Sequence, residues 1–258
     1  MKENKKKWIS GAVILAFWLG IWWLAALAVG RELLLPTPVA VFRRLLVLVR
    51  TADFWKTILA SILRVTFGIL LAIFTGILLA LLTSRFSLCR RLFAPFITVI
   101  RATPVASFII LALLWLGASA LPVFIASLIV LPIVWAAVSD GIAALDPRLS
   151  EVCRIYRFPL AKKLRSFYLP SVMPYFVSAC RTSIGMAWKA GVAAEVLAVS
   201  PLSIGKQLYH AKIYLETEDL FAWTTVVILL SLLVEFVITH LLKRTGYSYF
   251  RRKNNAES

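Results

Sequence analysis

The sequence predicts an all-α polytopic membrane protein with six transmembrane helices, folded as a single transmembrane domain over residues 1–258. Hydrophobic residues make up 61% of the chain and charged residues only 16%, a balance that no soluble domain of this length can bury. The apolar residues gather in six runs of about 20 or more, which is the length that crosses a bilayer core. These runs cover residues 8–29, 57–83, 93–117, 120–143, 170–198 and 220–242.

The basic residues of the connecting segments indicate how the chain is oriented. With the N-terminus inside, the inside segments carry 18 of the 29 lysines and arginines and the outside segments carry 7. The positive-inside rule therefore predicts that both termini and residues 144–169 are cytoplasmic. The net charge is +17, but most of the cations lie in the segments beside apolar runs, as membrane orientation requires. We therefore expect no nucleic-acid partner. The first run is too long for a signal peptide and lacks a small-residue cleavage site, which favours an uncleaved first span.

The segment 31–56, between the first two spans, predicts a stiff extended entry followed by an amphipathic helix. Leu35-Pro36-Thr37-Pro38 is stiff because each proline fixes its own φ and restricts the residue before it. An apolar stripe follows, with arginines outside it, so we expect a helix at the outer interface with its arginines near lipid headgroups. A contact for an extracytoplasmic partner is the alternative. The stripe consists of Val39, Phe42, Leu45, Leu46 and Val49, and the arginines are Arg43, Arg44 and Arg50.

The polar segment 144–169 predicts two short helices between the fourth and fifth spans. Asp146-Pro147 is typical of a helix start, because Asp caps free N–H groups and Pro is tolerated in the first turn. Pro159 ends that helix, since the residue before a proline is pushed out of the α region. Leu149, Val152, Cys153 and Tyr156 recur at helical spacing and predict an apolar stripe. A solvated loop without a partner is the alternative interpretation.

Charged residues inside the apolar runs are candidates for function, because a buried charge in a bilayer needs water, a partner or the bundle interior. Arg101 lies inside the third run, close to Pro104. The fifth run carries Arg181, Lys189 and Glu195, and the last two are six residues apart and do not face each other on a straight helix. Either they form structural ion pairs elsewhere in the bundle, or they line a pore that meets an anion. Arg64 is near the end of its run, where snorkelling is expected.

Part of the cytoplasmic segment resembles the EAA loop of ABC-importer permeases. Glu151 is followed at the family's interval by Leu169-Pro170. The two alanines of the motif are replaced by Val152 and Cys153, and its glycine by Arg157. The resemblance implies a coupling helix that docks on a cytoplasmic ATPase. The residues that would form it are Asp146, Leu149, Glu151, Val152, Cys153, Arg154, Tyr156 and Arg157.

Further short motifs in the same order resemble the sulfonate, taurine and nitrate branch of these permeases. They are Leu-Pro-Thr-Pro at residues 35–38, Arg-x-x-Pro at 101–104, Trp-Leu-Gly at 115–117 and Ala194-Glu195. The resemblance implies a type I importer fold in a prokaryotic cell membrane. The implied partners are two ATPase subunits, a second permease copy in a homodimer or a close paralogue, and an external solute-binding protein. The predicted translocation path comprises Arg101, Thr103, Pro104, Trp188, Lys189 and Glu195.

Catalytic motifs are missing from the sequence. It has no GxxxxGK[ST] loop for ATP phosphates, no G-x-S-x-G and no HExxH. We therefore expect no enzyme activity, no cofactor and no metal in this chain, and ATP hydrolysis on a partner subunit. The alternative function is a secondary transporter or channel that works without an ATPase. The substrate stays open between a small anion and a thiamine-precursor pyrimidine.

Overall fold

The described residues of the computed structural model are 2–146, 148, 151, 153, 155–156 and 158–254, and within them all regular structure is helical. Five helices precede the central one: α1 Lys2–Val29, α2 Pro38–Val49, α3 Ala52–Arg85, α4 Ser87–Ala102 and α5 Val105–Ala112. The central helix is α6, Leu121–Ala143. After Pro159 come α7 Leu160–Lys163, a π-helical turn Leu164–Tyr168, α8 Leu169–Ala198, α9 Ile204–Ile213 and α10 Thr217–Asn254.

Helix α6 is the centre of the bundle and packs along both α3 and α8. Close approach to α3 depends on Gly68, where a Cβ atom would lie 2.5 Å from the Val123 carbonyl oxygen. The Ser127 hydroxyl then donates across the contact to the Gly68 carbonyl at 2.8 Å. Small residues and interhelical hydrogen bonds of this kind hold helices together in membranes, where both the bundle and its surroundings are apolar.

The third predicted span, 93–117, is not one continuous helix. The chain breaks at Thr103-Pro104, and α4 and α5 are bent by 104° relative to each other. Pro104 has no N–H to donate, and Thr103 before it takes an extended backbone with ψ of 131°. The predicted span is therefore corrected to a broken pair of helices with Arg101 in the last turn of α4.

Three helices of the described chain are long and apolar enough to cross a membrane, or four if the bent pair is one span. They are Ala52–Arg85, Leu121–Ala143 and Thr217–Val237. Helix α8 spans 30 residues but carries Arg181, Lys189 and Glu195, and Val13–Val29 of α1 is a shorter apolar helical stretch. The count of six spans therefore remains a prediction.

The amphipathic helix predicted after the first span is present as α2. The Thr37 hydroxyl caps it by accepting the Ala40 N–H at 3.3 Å, and Pro38 occupies the first turn. Val41 is buried in the bundle, whereas Phe42 and Leu46 are exposed. The arginines of α2 divide in the same way, because Arg43 is exposed and Arg44 is turned towards α10.

Candidate functional site

Glu195 is buried completely, with 0% of its surface exposed, and its carboxylate is bound by three donors. Arg64 of α3 donates to one oxygen at 2.7 Å. The other oxygen accepts the Ser61 hydroxyl at 2.8 Å and the Gly205 N–H at 3.3 Å. A carboxylate with an arginine and two further donors is the satisfied form of a buried charge. This cluster of Ser61, Arg64, Glu195 and Gly205, the Glu195 cluster, joins α3, α8 and α9.

The local sequence explains how the Glu195 cluster assembles. Ser61 and Arg64 are three residues apart on α3 and so lie on one face of that helix. A Cβ atom on Gly205 would lie 2.3 Å from the Glu195 Cβ, so α9 reaches the carboxylate only because residue 205 is glycine. The start of α9 is fixed as well, since the Ser203 side chain accepts the Lys206 N–H and the Ile204 N–H donates to Ser61.

The turn from α8 to α9 is strained and is held by hydrogen bonds to neighbouring elements. Val199 and Leu202 have φ of 48° and 47°, a region that costs a β-branched or bulky residue free energy. The Arg64 guanidinium donates to the Pro201 carbonyl at 3.1 Å, and the Ser200 hydroxyl donates to the Ala118 carbonyl at 2.5 Å. The Glu195 cluster thus fixes both the end of α8 and the turn that follows it.

The structure therefore corrects the snorkelling prediction for Arg64 and favours one of the two interpretations of Glu195. Arg64 does not snorkel, because its side chain is only 14% exposed and points to Glu195. Glu195 has the structural ion pair that was one of its two interpretations, and it offers no surface to a solute within this chain.

Trp188 also lies in the packing of the chain and not on an open face. It is 2% exposed, and its indole N–H donates to the Val227 carbonyl of α10 at 3.4 Å. Arg181, Gly185, Trp188 and Val192 follow one another at helical spacing along α8, yet they do not form a single exposed face. Arg181 is exposed, whereas Trp188 and Val192 are buried in the core.

The exposed face of α8 is polar and carries two cations. Arg181 and Lys189 are eight residues apart, about two helical turns, and therefore share this face. Ser178 and Thr182 are exposed beside them. Within the described part of the chain, neither cation has an ion-pair partner. We refer to Ser178, Arg181, Thr182 and Lys189 as the polar face of α8; sequence reasoning named Lys189 for the path but not the other three.

Arg101, Thr103 and Pro104 lie together at the break between α4 and α5. The Arg101 guanidinium is exposed and donates to the Pro132 carbonyl of α6 at 2.8 Å. The Thr103 hydroxyl donates to the Val99 carbonyl at 2.8 Å. Arg101 thus anchors the end of α4 to the central helix and keeps guanidinium surface exposed.

The segment 144–169, predicted to be cytoplasmic, is described at only some of its predicted coupling residues, because Leu149, Val152, Arg154 and Arg157 lie outside the described residues. The Asp146 carboxylate accepts the Arg148 N–H at 2.8 Å, the capping contact expected from its position. Cys153 is 8% exposed, whereas Tyr156 is 71% exposed. These two residues therefore do not share one exposed stripe as predicted. Ile155, which the sequence interpretation omitted, is 69% exposed.

The connection from Leu160 into α8 is helical throughout. The helix-ending effect of Pro159 is visible, since the Phe158 N–H donates to the Cys153 carbonyl at 3.1 Å and α7 begins after the proline. The chain then passes through the π-helical turn into α8 without a break, with Pro170 in the first turn of α8. A movement of residues 160–168 is therefore carried by helix backbone into α8.

A second ion pair, between Arg44 of α2 and Asp219 of α10, joins these two helices. The two side chains make a bidentate contact, with one N–O distance of 2.8 Å. This hydrogen bonding to Asp219 raises the pKa of the Arg44 guanidinium. Arg44 also borders a cleft of about 400 Å³ with Glu32, Glu216 and Glu218. Arg44 is thus held by protein and not by lipid headgroups, which corrects the prediction for one of the three arginines.

Comparison with known proteins identifies the family. The family described as "Binding-protein-dependent transport system inner membrane component" matches residues 68–247. The chain belongs to this family. It is therefore a membrane permease of ABC-type import systems, and such permeases are not the catalytic subunits.

Relatives whose names state a transported solute support the same family assignment. A putative aliphatic sulfonates transport permease protein of Bacillus subtilis is 25% identical over 225 residues, covering 86% of this chain and 81% of that protein. The taurine transport system permease protein of Escherichia coli is 25% identical, covering 89% and 86%. The nitrate import permease protein of Synechococcus elongatus is 27% identical, covering 74% and 72%.

A solved structure shares the fold of this permease. It is the crystal structure of an amino acid ABC transporter with histidines, with a TM-score of 0.59 and 17% identity. The match covers 76% of this chain and 93% of that one. At this identity the likeness concerns the fold alone.

Proposed function

We propose that this permease imports a small anion, of the sulfonate, taurine or nitrate kind, delivered by an external binding protein. The observation that carries the proposal is the polar face of α8, where Arg181 and Lys189 lack an ion-pair partner among the described residues. Two unpaired cations in a membrane helix are costly unless they meet water or an anion. The named relatives handle sulfonates, taurine and nitrate, all of which are small and polar.

The translocation path of this proposal differs from the sequence prediction. Trp188 and Glu195 leave it, because their side chains are buried in the chain. Lys189 remains, Arg181 joins it, and Arg101 with Thr103 and Pro104 supplies an exposed cation at the break in the bundle. The polar face of α8 is open in a single chain, so a second copy facing it would enclose the path. We therefore propose a homodimer, with a close paralogue as the alternative partner.

The proposed energy source is a pair of cytoplasmic ATPase subunits that bind the segment 144–169. Tyr156 and Ile155 present exposed apolar surface there, and Glu151, earlier in the same segment, is also exposed. An apolar helix surface with a charged rim suits a groove on a partner. Closure of that partner would move this segment and, through the helical connection that starts at Leu160, α8. Six spans with both termini inside, in a prokaryotic cell membrane, complete the proposal.

Replacement of Lys189 by Met tests the path. The variant should assemble normally, because Lys189 is exposed and has no ion-pair partner to lose within the described residues. Loss of a charged hydrogen bond to the anion, roughly 1.5–3 kcal/mol, should lower uptake about 10- to 100-fold. The measurement is uptake of taurine, ethanesulfonate and nitrate by membrane vesicles that contain the complete system.

Lys212→Met is the matched control, since Lys212 is exposed on α9 and lies outside the path. Wild-type uptake by Lys189→Met would remove Lys189 from the path. Failure of both Lys189→Met and Arg101→Met to assemble would make the two cations structural. Uptake of a thiamine-precursor pyrimidine in place of every anion would overturn the anion assignment.

A further inference from the structure

Glu235 is an exposed carboxylate inside the apolar stretch Thr217–Val237 of α10. Its neighbours Leu232, Leu233 and Phe236 are exposed apolar side chains. Among the residues that the structure describes, Glu235 has no ion-pair partner. A carboxylate at such a place in a membrane helix is costly unless water, a cation or a polar ligand meets it. Glu235 is therefore a second polar position on the surface of the bundle, in addition to the polar face of α8.

Glu235 lies at nearly the same depth in the bundle as Arg181. The hydrogen bond from the Trp188 indole to the Val227 carbonyl fixes the register of α8 against α10. The two helices run in opposite directions, since the short α9 connects the end of α8 to the start of α10 and packs against both. From that bond, seven residues back along α8 reach Arg181 and eight residues forward along α10 reach Glu235. At the helical rise these steps are about 10.5 Å and about 12 Å in the same direction.

Arg181 and Glu235 also turn to the same side of the contact between α8 and α10. Each residue of an α-helix turns by about 100°, so Arg181 lies about 20° from the direction of Trp188, and Glu235 about 80° from that of Val227. Residues of antiparallel helices wind in opposite senses when seen from one end, and both turns therefore lead to one side. Helix α3 packs against α8 on the other side, at Gly191.

The shared side combines opposite charges with hydroxyl groups. Ser178 and Thr182 are exposed beside Arg181 on the polar face of α8. The axes of packed helices lie about 8–10 Å apart, so Arg181 and Glu235 border one region, yet they form no ion pair with each other. A simple anion in this region would meet Arg181 but would be repelled by Glu235. A solute with an anionic group and an ammonium group, separated by a few carbons, would satisfy both side chains.

We propose that the path of this permease binds a zwitterion, a small solute that carries an ammonium group as well as an anionic group. The inference rests on the proposed function, because the polar face of α8 supplies the anion-binding part. Arg181 holds the anionic group, and the Glu235 carboxylate accepts hydrogen bonds from the ammonium group. Taurine, the solute named for one relative, is a zwitterion of this kind at neutral pH, whereas nitrate has no ammonium group.

The test compares taurine with propane-1-sulfonate, in which a methyl group replaces the ammonium group. The sample is the complex of permease and ATPase in nanodiscs, without the binding protein, so that only the selectivity of the membrane path is measured. Equilibrium binding of each radiolabelled sulfonate gives the Kd. We expect taurine to bind more tightly. Glu235→Gln should weaken taurine binding about 10- to 100-fold through loss of a charged hydrogen bond, without weakening propane-1-sulfonate. Arg181→Met should weaken both.

Two variants serve as controls. Glu235→Asp keeps the carboxylate and should keep the preference for taurine. Glu218→Gln removes an exposed carboxylate from the first turn of the same helix and should change the binding of neither sulfonate.

Three results would overturn the inference. One is an equal effect of Glu235→Gln on both sulfonates, or no effect on either, and another is the failure of the wild-type complex to bind either sulfonate. The third is separation of two permease copies by Glu235→Gln, which would give Glu235 a structural partner. Import of simple anions by the Glu235→Gln complex at the wild-type rate would leave the proposed function in place even then. Unchanged binding of both sulfonates in Arg181→Met would instead remove the support for both proposals.

Discussion

At the scale of single residues, the ion pair of Arg64 with Glu195 makes a prediction about stability. Glu195→Gln keeps the shape of the side chain but leaves Arg64 buried without its counter-charge. Breaking a buried pair in this way should lower the free energy of unfolding by about 3 kcal/mol. The double variant Arg64→Met, Glu195→Met should lose less, because no charge is left unpaired. Thermal and denaturant unfolding of the purified chain in detergent measures both.

The pair of Lys56 with Asp53 provides the control for this prediction. The Lys56 Nζ and Asp53 Oδ1 atoms are 3.8 Å apart, and both side chains are mostly exposed. Asp53→Asn should therefore change the free energy of unfolding by about a few tenths of a kcal/mol at most. If Glu195→Gln were as mild as Asp53→Asn, the Glu195 cluster would not hold α3, α8 and α9 together.

Sequence periodicity could show that Glu195 needs a partner but not which one. Arg64 precedes it by 131 residues, and only the packing of α3 against α8 brings them together. The same limit explains the misplacement of Trp188. Spacing assigns residues to faces of a helix, but it does not show that α3, α6 and α10 pack against α8 and that the face with Trp188 is core. For Lys189 the sequence left an ion pair and a pore lining open, and the structure leaves the side chain exposed.

At the scale of elements, the helical connection from the cytoplasmic segment into α8 predicts uncoupling by a surface change. Tyr156→Asp places a charge where the ATPase groove is proposed, and Tyr156 is too exposed for the change to disturb folding. We expect the ATPase to detach, or to hydrolyse ATP without uptake, with a loss of uptake of at least about tenfold. Co-purification of the ATPase and the ratio of ATP hydrolysed to solute imported measure the effect.

Tyr156→Phe is the matched control, because it keeps the ring and should keep coupling. Wild-type coupling in Tyr156→Asp would show that the exposed end of this helix does not contact the ATPase. The prediction would then fail even though the family assignment would stand.

The sequence predicted α2 well because it is bounded by a clear signal, Thr37-Pro38. It misjudged the third run because apolar composition is the same on both sides of Thr103-Pro104, and hydropathy does not record a bend of 104°. Leu169-Pro170 lies within the helical connection, with Pro170 in the first turn of α8.

At the scale of the whole molecule, the distribution of basic residues predicts both termini inside the cell. Single cysteines in an otherwise cysteine-free chain test it by labelling from outside with a membrane-impermeant thiol reagent. Positions 43 and 202, which are exposed, should react, whereas 90 and 162, also exposed, should not. Position 202 is chosen over its neighbour Ser203 because Ser203 is fully buried. Labelling at position 162 from outside would invert the topology and remove the cytoplasmic segment from contact with an ATPase.

The central claim is that a separate ATPase drives transport through this permease. The most direct measurement reconstitutes the purified permease in proteoliposomes with the ATPase and binding-protein subunits of its system, and follows uptake of labelled taurine, ethanesulfonate or nitrate. We predict uptake only when the ATPase, hydrolysable ATP and the binding protein are all present, and none when ATP is replaced by a non-hydrolysable analogue. Uptake by the permease alone, driven by an ion gradient without the ATPase, would contradict this account and make the chain a secondary transporter.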